Sequence, residues 1–194
     1  WRYWQPQVAI NEQMTLEDAI EGTFEGLTRS LEIRLRADVP LAFCLSGGVD
    51  SAALASLAAK HFNRKIKTFS IIDSDERYNE EKNIGYTVND LGCDHHPIRL
   101  SHSDSMERLS HLVDYHDAPI ATISYLVHSM ISEKMHEEGF RVSFSGTSAD
   151  ELFSGYYDHF LLHLNEVRER NDYQTYLGDW QKHVGKFVRN PLLK

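Results

Sequence analysis

Leu41-Ala42-Phe43-Cys44-Leu45-Ser46-Gly47-Gly48-Val49-Asp50-Ser51 decides how this chain is read. Five consecutive apolar residues are the mark of a short strand covered on both faces, as in a parallel sheet. Ser46-Gly47-Gly48 breaks the run, and Asp50 to Phe62 carries Ala and Leu at helical spacing. A strand, a glycine turn and a helix therefore follow in order.

The same unit recurs outward from this stretch. Ile66 to Ile72 reads as a second strand, and Asn79 to Leu91 as a helix stopped by Gly92, where a left-handed C-terminal glycine is favoured. Pro97 to Leu100, with His95 and His96 before it, makes a third strand. Helices are predicted over Asp104 to Tyr115 and Ser124 to Glu138, the latter ended by Gly139. Phe140 to Phe144 is a fourth strand, broken by Ser145-Gly146. Upstream, Thr15 caps a helix running to about Arg36, with Leu16, Ile20, Phe24, Leu27, Leu31 and Ile33 near a 3.6-residue period and Asp18 placed for a capping box. Strands alternating with helices imply right-handed crossovers, so the expected fold is a Rossmann-like, doubly wound α/β sheet. After Tyr157 the sequence turns polar and helix-forming, with Trp180 and Phe187 as apolar anchors, and reads as a helical segment truncated at Lys194. The opening Trp1-Arg2-Tyr3-Trp4-Gln5-Pro6 reads as an extended linker or docking segment.

Composition narrows the function. Twenty Lys plus Arg against 29 Asp plus Glu give a net charge of −9. An extended nucleic-acid surface needs clustered cations, so this balance argues against one. A small anion remains compatible if a metal ion or a helix N-terminus offsets the local charge. The two cysteines, Cys44 and Cys93, make neither a disulfide scaffold nor a zinc motif. The expectation is a reduced, cytoplasmic setting, with no membrane span and no signal peptide.

The loop after the first strand carries most of the chemistry. In an open α/β sheet, ligands bind at the carboxyl ends of the strands. Gly47 and Gly48 let main-chain N–H groups approach an anion, and the next helix points its N-terminus at the same place. No Lys follows the glycines, and the three spaced glycines of a dinucleotide loop are absent. The loop offers the hydroxyls of Ser46 and Ser51 and the carboxylate of Asp50 instead. A carboxylate beside phosphates repels them unless a hard cation lies between, so Asp50 is read as a Mg²⁺ ligand. The plainer alternative, a tight turn with Asp50 capping the helix, stays open on the loop alone. A second loop, Ser145 to Tyr156, sets Asp150 and Glu151 after the fourth strand, where Asp150 could hold the same ion from the other side. On its own it reads equally as the acidic start of an exposed helix.

Ser46 to Ser51 resembles the SGGxDS signature of the N-type ATP pyrophosphatases, the PP-loop family, whose fold is that of the adenine nucleotide alpha hydrolases. Ser145 to Tyr156 is similar to the SGxGxDExFxGY signature of asparagine synthetases and β-lactam synthetases. The likeness extends to Arg36-Ala37-Asp38-Val39-Pro40, Tyr78-Asn79-Glu80, His95-His96 and His116-Asp117-Ala118-Pro119. It implies ATP and Mg²⁺ as cofactors. Ser46, Gly47, Gly48, Val49, Asp50 and Ser51 would meet the phosphates, main chain near Cys44, Ile71, Ser145 and Gly146 the adenine, and Asp50 with Asp150 the metal. It further implies adenylation of a small carboxylate, aspartate first, and ammonia delivered by a glutaminase domain ahead of residues 1–14. Residues 15–194 would be the synthetase domain, without its later helical lobe. Oligomeric state stays open, a homodimer included.

Two positions depart from the signature: Thr147 stands where the family has Glu, and Ser148 where it has Gly. A neutral hydroxyl in place of that Glu weakens the case for aspartate. It leaves room for another carboxylate, such as a sugar acid or one closing an amide ring, and for a nucleotide-binding module that has lost catalysis. A tRNA-modifying PP-loop enzyme is the third alternative, opposed by the net charge. The 11 histidines are not read as a metal site. His95 and His96 should point to opposite faces of a strand, and His111 and His116 are spaced five apart rather than four. Cys44 is expected to be a buried, inert thiol, and Tyr125 with the Met130 to Met135 stretch to face the core.

Overall fold

The computed structural model describes residues 1–5, 7, 9–100, 103–188 and 190. The expectations at Pro6 and Lys194 lie outside the described residues. The chain forms two compact units, residues 1–144 and residues 145–194.

The first unit is built on four parallel strands: β1 (Leu41–Cys44), β2 (Lys67–Ile72), β3 (Asp94–Arg99) and β4 (Val142–Phe144). Their order is β3-β2-β1-β4, with Phe43 opposite Thr68 on one side and Phe144 on the other. The sheet grows from β1 through β2 to β3 and then reverses to place β4 on the far side of β1. That reversal is a topological switch point, where open α/β sheets open a crevice at the strands' carboxyl ends. Helix α1 (Leu16–Arg34) precedes the sheet, and the helices between the strands are α2 (Val49–Ser56), α3 (Glu81–Leu91), α4 (Ser105–His116) and α5 (Ser124–Glu137). A π turn over Leu57–His61 prolongs α2, so the helix expected to reach Phe62 is continuous but changes its winding.

Apolar residues cover both faces of the sheet, as the run Leu41 to Leu45 requires. Phe43 and Leu45 join Leu31, Leu35, Ala55, Ala58, Ile66, Ile72 and Ile84 in one cluster. Ala42 joins Phe69 and Met135 in another, with Cys44, Ile98 and Phe140 packed against it. Neighbouring residues of β1 thus serve opposite clusters, the period of two that a strand imposes. Complete burial of a ring such as Phe69 stabilises the sheet by about 2–3 kcal/mol.

Two expectations are corrected here. Thr15 and Asp18 do form the capping box of α1, but the helix ends at Arg34, and its apolar stripe is largely uncovered. Leu16 is 71% and Ile20 61% exposed, while Leu31 alone among the helix residues is buried. Only the last turns of α1 reach the first cluster. Tyr125 does not face the core: it is 44% exposed and meets the His116 ring edge-on at 5.7 Å. The inward stripe of α5 runs through Ile131 and Met135, four apart, and Tyr125 lies off that stripe.

The second unit is helical, as its sequence suggested. It holds α6 (Ala149–Phe153), α7 (Tyr157–Glu166) and α8 (Tyr173–Trp180), which runs into a π turn over Gln181–Gly185. The Trp180 ring lies over Gly185, where an added Cβ would come within 2.7 Å of it. No described helix is long and apolar enough to cross a membrane.

Candidate functional site

Ser46, Gly47 and Gly48 join β1 to α2, and hydrogen bonds fold them into a compact loop. The Ser51 Oγ accepts from the Ser46 N–H at 3.0 Å and lies within reach of the Ser46 and Gly48 carbonyl oxygens at 3.2 and 3.3 Å. The Ser46 Oγ lies 2.9 Å from the Ser51 Oγ and accepts from the Gly48 N–H at 3.2 Å. Ser51 is 6% exposed, so its hydroxyl belongs to the loop's interior scaffold. From below, the buried Ser70 of β2 donates its hydroxyl to the Leu45 carbonyl, and the Leu45 N–H donates to the Phe69 carbonyl at 2.9 Å. In sequence Ser70 is one of three polar residues in Ile66 to Ile72, with Lys67 and Thr68, and nothing local marks it for this role.

The helix that follows begins without a capping side chain. Gly48 is its N-cap in extended conformation, and no side chain bonds to the first-turn N–H groups. Asp50 sits in that first turn, half-buried, and Val49 beside it is exposed. An uncapped N-terminus carries unpaired donors and a partial positive charge, the combination that holds phosphate. One donor of the loop already takes an anion: the Gly47 N–H donates to Glu80 Oε2 at 3.1 Å. The residues present fit a phosphate-bearing ligand with a cation at Asp50. In sequence Glu80 stands only within Tyr78-Asn79-Glu80, where nothing local gives it a role.

The residues expected near adenine in the first unit lie on adjacent strands. Cys44 ends β1, half-buried, its Sγ 3.9 Å from the Ser143 Oγ, and burial pushes its thiol pKa up. Ile71 lies half-buried near the end of β2.

In the second unit, Ser145 and Gly146 open the acidic loop. The Ser145 Oγ lies 2.6 Å from the Thr147 Oγ1 and accepts from the Thr147 N–H at 3.2 Å. Ser148 adopts φ 74°, a left-handed conformation open to glycine without penalty, so the departure from the signature at this position puts a side chain on strained backbone. Asp150 is half-buried in the first turn of α6. The Gly155 N–H donates to the Asp150 carbonyl at 3.0 Å, and an added Cβ on Gly155 would overlap the Asp150 carboxylate. Glycine at 155 is therefore what lets the chain fold back over Asp150. The Tyr156 hydroxyl donates to Glu151 Oε1 at 2.6 Å, which holds Glu151 below its ordinary pKa and pushes Tyr156 up to about 12.

The histidines set aside in sequence have other duties. His95 shares a 2.9 Å hydrogen bond with the buried Thr68 hydroxyl, and burial lowers its pKa, while His96 turns toward Asp94 and Glu138. His111 and His116 line a cleft of about 420 Å³ between α4 and α5. Among the described residues no three His, Cys, Asp or Glu side chains gather into a metal-binding group.

A glycine loop scaffolded by paired serines, feeding an uncapped helix at the switch point of a parallel sheet, belongs to a Rossmann-like α/β domain. The asparagine synthase family model matches residues 24–193, and the chain belongs to that family. It is 27% identical over 171 residues to an amidase, chyE, of Penicillium rubens, covering 79% of this chain and 25% of that protein. It is 32% identical over 127 residues to a glutamine-hydrolysing asparagine synthetase of Bacillus subtilis, covering 66% of this chain and 20% of that one. An NMN synthetase structure from Francisella tularensis aligns with TM-score 0.45 and 17% identity, over 70% of this chain and 58% of that chain. The chain spans about a quarter of the length of the curated relatives it matches.

Proposed function

We propose that this chain is the ATP-handling part of an amide-forming ligase. ATP binds with its phosphates on Ser46, Gly47, Gly48, Val49, Asp50 and Ser51, and with adenine against main chain near Cys44, Ile71, Ser145 and Gly146. Asp50 and Asp150 would hold Mg²⁺, which would supply positive charge to offset that of the departing pyrophosphate. The acceptor carboxylate attacks the α-phosphorus, and ammonia then displaces AMP from the acyl group. Aspartate is the acceptor and a glutaminase domain the ammonia source in the reading nearest to the synthetases named above, in a cytoplasmic setting. The observation that carries the proposal is the uncapped start of α2 at Gly48, at the switch point of the sheet. There the chain contributes position and fixed dipoles, the terms that dominate such reactions.

A second reading keeps the chemistry and changes the acceptor. The hydrogen-bonded Ser145 and Thr147 hydroxyls make a neutral surface where the family signature carries Glu, which favours another carboxylate, such as a sugar acid. The test is calorimetric titration of the full-length protein with MgATP, followed by pyrophosphate release in the presence of aspartate or a panel of other carboxylates. Release driven by aspartate supports the first reading, and release driven only by another acid supports the second. Binding with no release under any acid points to a module without catalysis, and no binding rules out both readings.

A further inference from the structure

Gly47 and Glu80 come from β-α connections 33 residues apart and meet at the glycine loop. The approach is close, since a Cβ on Gly47 would lie 2.7 Å from the Glu80 Cβ and 3.0 Å from the Asn83 Cβ. Glu80 is fixed at the start of α3: its carbonyl accepts from the Ile84 N–H at 3.0 Å, and Asn79 Oδ1 holds the neighbouring Glu81 N–H at 2.8 Å. Its side chain is exposed and free to turn into solvent. In this structure the carboxylate instead accepts from the Gly47 N–H at 3.1 Å.

We infer that Glu80 is a displaceable anion that guards the phosphate loop, a regulation of the same site that rests on the nucleotide reading above. One main-chain N–H cannot serve a carboxylate and a phosphate oxygen together, and two anions at that separation repel. Arrival of phosphate therefore breaks a charge-assisted hydrogen bond and turns Glu80 outward. The contact occupies the Gly47 N–H until a phosphate oxygen replaces the carboxylate.

The experiment uses the full-length protein, wild type against Glu80→Gln and Glu80→Ala, titrated calorimetrically with magnesium pyrophosphate and with MgATP. Both variants should bind both probes more tightly, by about five- to tenfold, as expected when a competing charged hydrogen bond is removed. Glu80→Gln keeps the size and loses the charge, so a gain there assigns the effect to charge. Unchanged or weaker binding in the variants, while the wild type binds, overturns the guard and leaves the nucleotide site standing. Failure of the wild type and both variants to bind either probe overturns the nucleotide reading and the guard with it.

Discussion

The Ser46 and Ser51 hydroxyls lie 2.9 Å apart across the glycine turn, and the Ser51 Oγ also receives the Ser46 N–H. The two side chains bracket the loop, so its shape is set before any ligand arrives. Ser51 is the buried member and makes the greater number of bonds.

Ser51→Ala leaves the Ser46 N–H without its acceptor and should cost about 1–3 kcal/mol of stability, measured by urea denaturation. Ser46→Ala removes the acceptor for the Gly48 N–H and the contact with the Ser51 hydroxyl, both at an exposed residue, and should cost less. Equal losses in the two variants would contradict the assignment of Ser51 as the loop's internal scaffold.

The two glycines should respond differently to a methyl group. At Gly47 the new Cβ would press on the Glu80 and Asn83 Cβ atoms, so Gly47→Ala should destabilise by about 1–3 kcal/mol. At Gly48 the nearest atom is the Ser46 Oγ at 3.3 Å and φ is −86°, so Gly48→Ala should fold with a smaller loss. Thermal melts of the two variants decide the point.

Ser148→Gly relieves a left-handed backbone position at φ 74° and should raise stability by about 0.5–1 kcal/mol. A fall in stability would mean that the serine side chain compensates for its backbone.

Tyr156→Phe removes the hydroxyl that lowers the Glu151 pKa. The Glu151 contribution to stability is present above the ordinary carboxylate pKa of 4.5 and is lost as pH falls through its depressed folded value. For Tyr156 the sign is reversed: its contribution is present below the ordinary 10.0 and is lost as pH rises through about 12. Carboxyl-carbon NMR titration should place Glu151 higher in Tyr156→Phe than in the wild type; an unmoved curve would sink the pairing.

Much of this was legible because it is local. The apolar run Leu41 to Leu45 has the signature of a two-sided strand, and Ser-Gly-Gly before an Ala-rich stretch has that of a strand-to-helix turn. The pairs that support the loop were not legible, because they join distant positions: Glu80 to Gly47, and Ser70 to the Leu45 carbonyl. Periodicity likewise locates the apolar stripe of α1 but says nothing of what covers it, and Leu16 and Ile20 stay exposed. Family likeness named Thr147 and Ser148 as departures, but only the backbone angle at Ser148 gives one of them a physical meaning.

On the function proposed above, Asp50, in the first turn of α2, would hold the metal that accompanies the nucleotide's phosphates. The most direct test is acceptor-dependent release of pyrophosphate from ATP by the full-length protein, with Asp50→Ala against wild type across a range of Mg²⁺ concentrations. The variant should lose at least about a hundredfold in release, as expected for loss of an electrostatic contact to the reacting groups, with the remaining activity shifted to higher Mg²⁺. Release at the wild-type rate and with the wild-type Mg²⁺ dependence would contradict it.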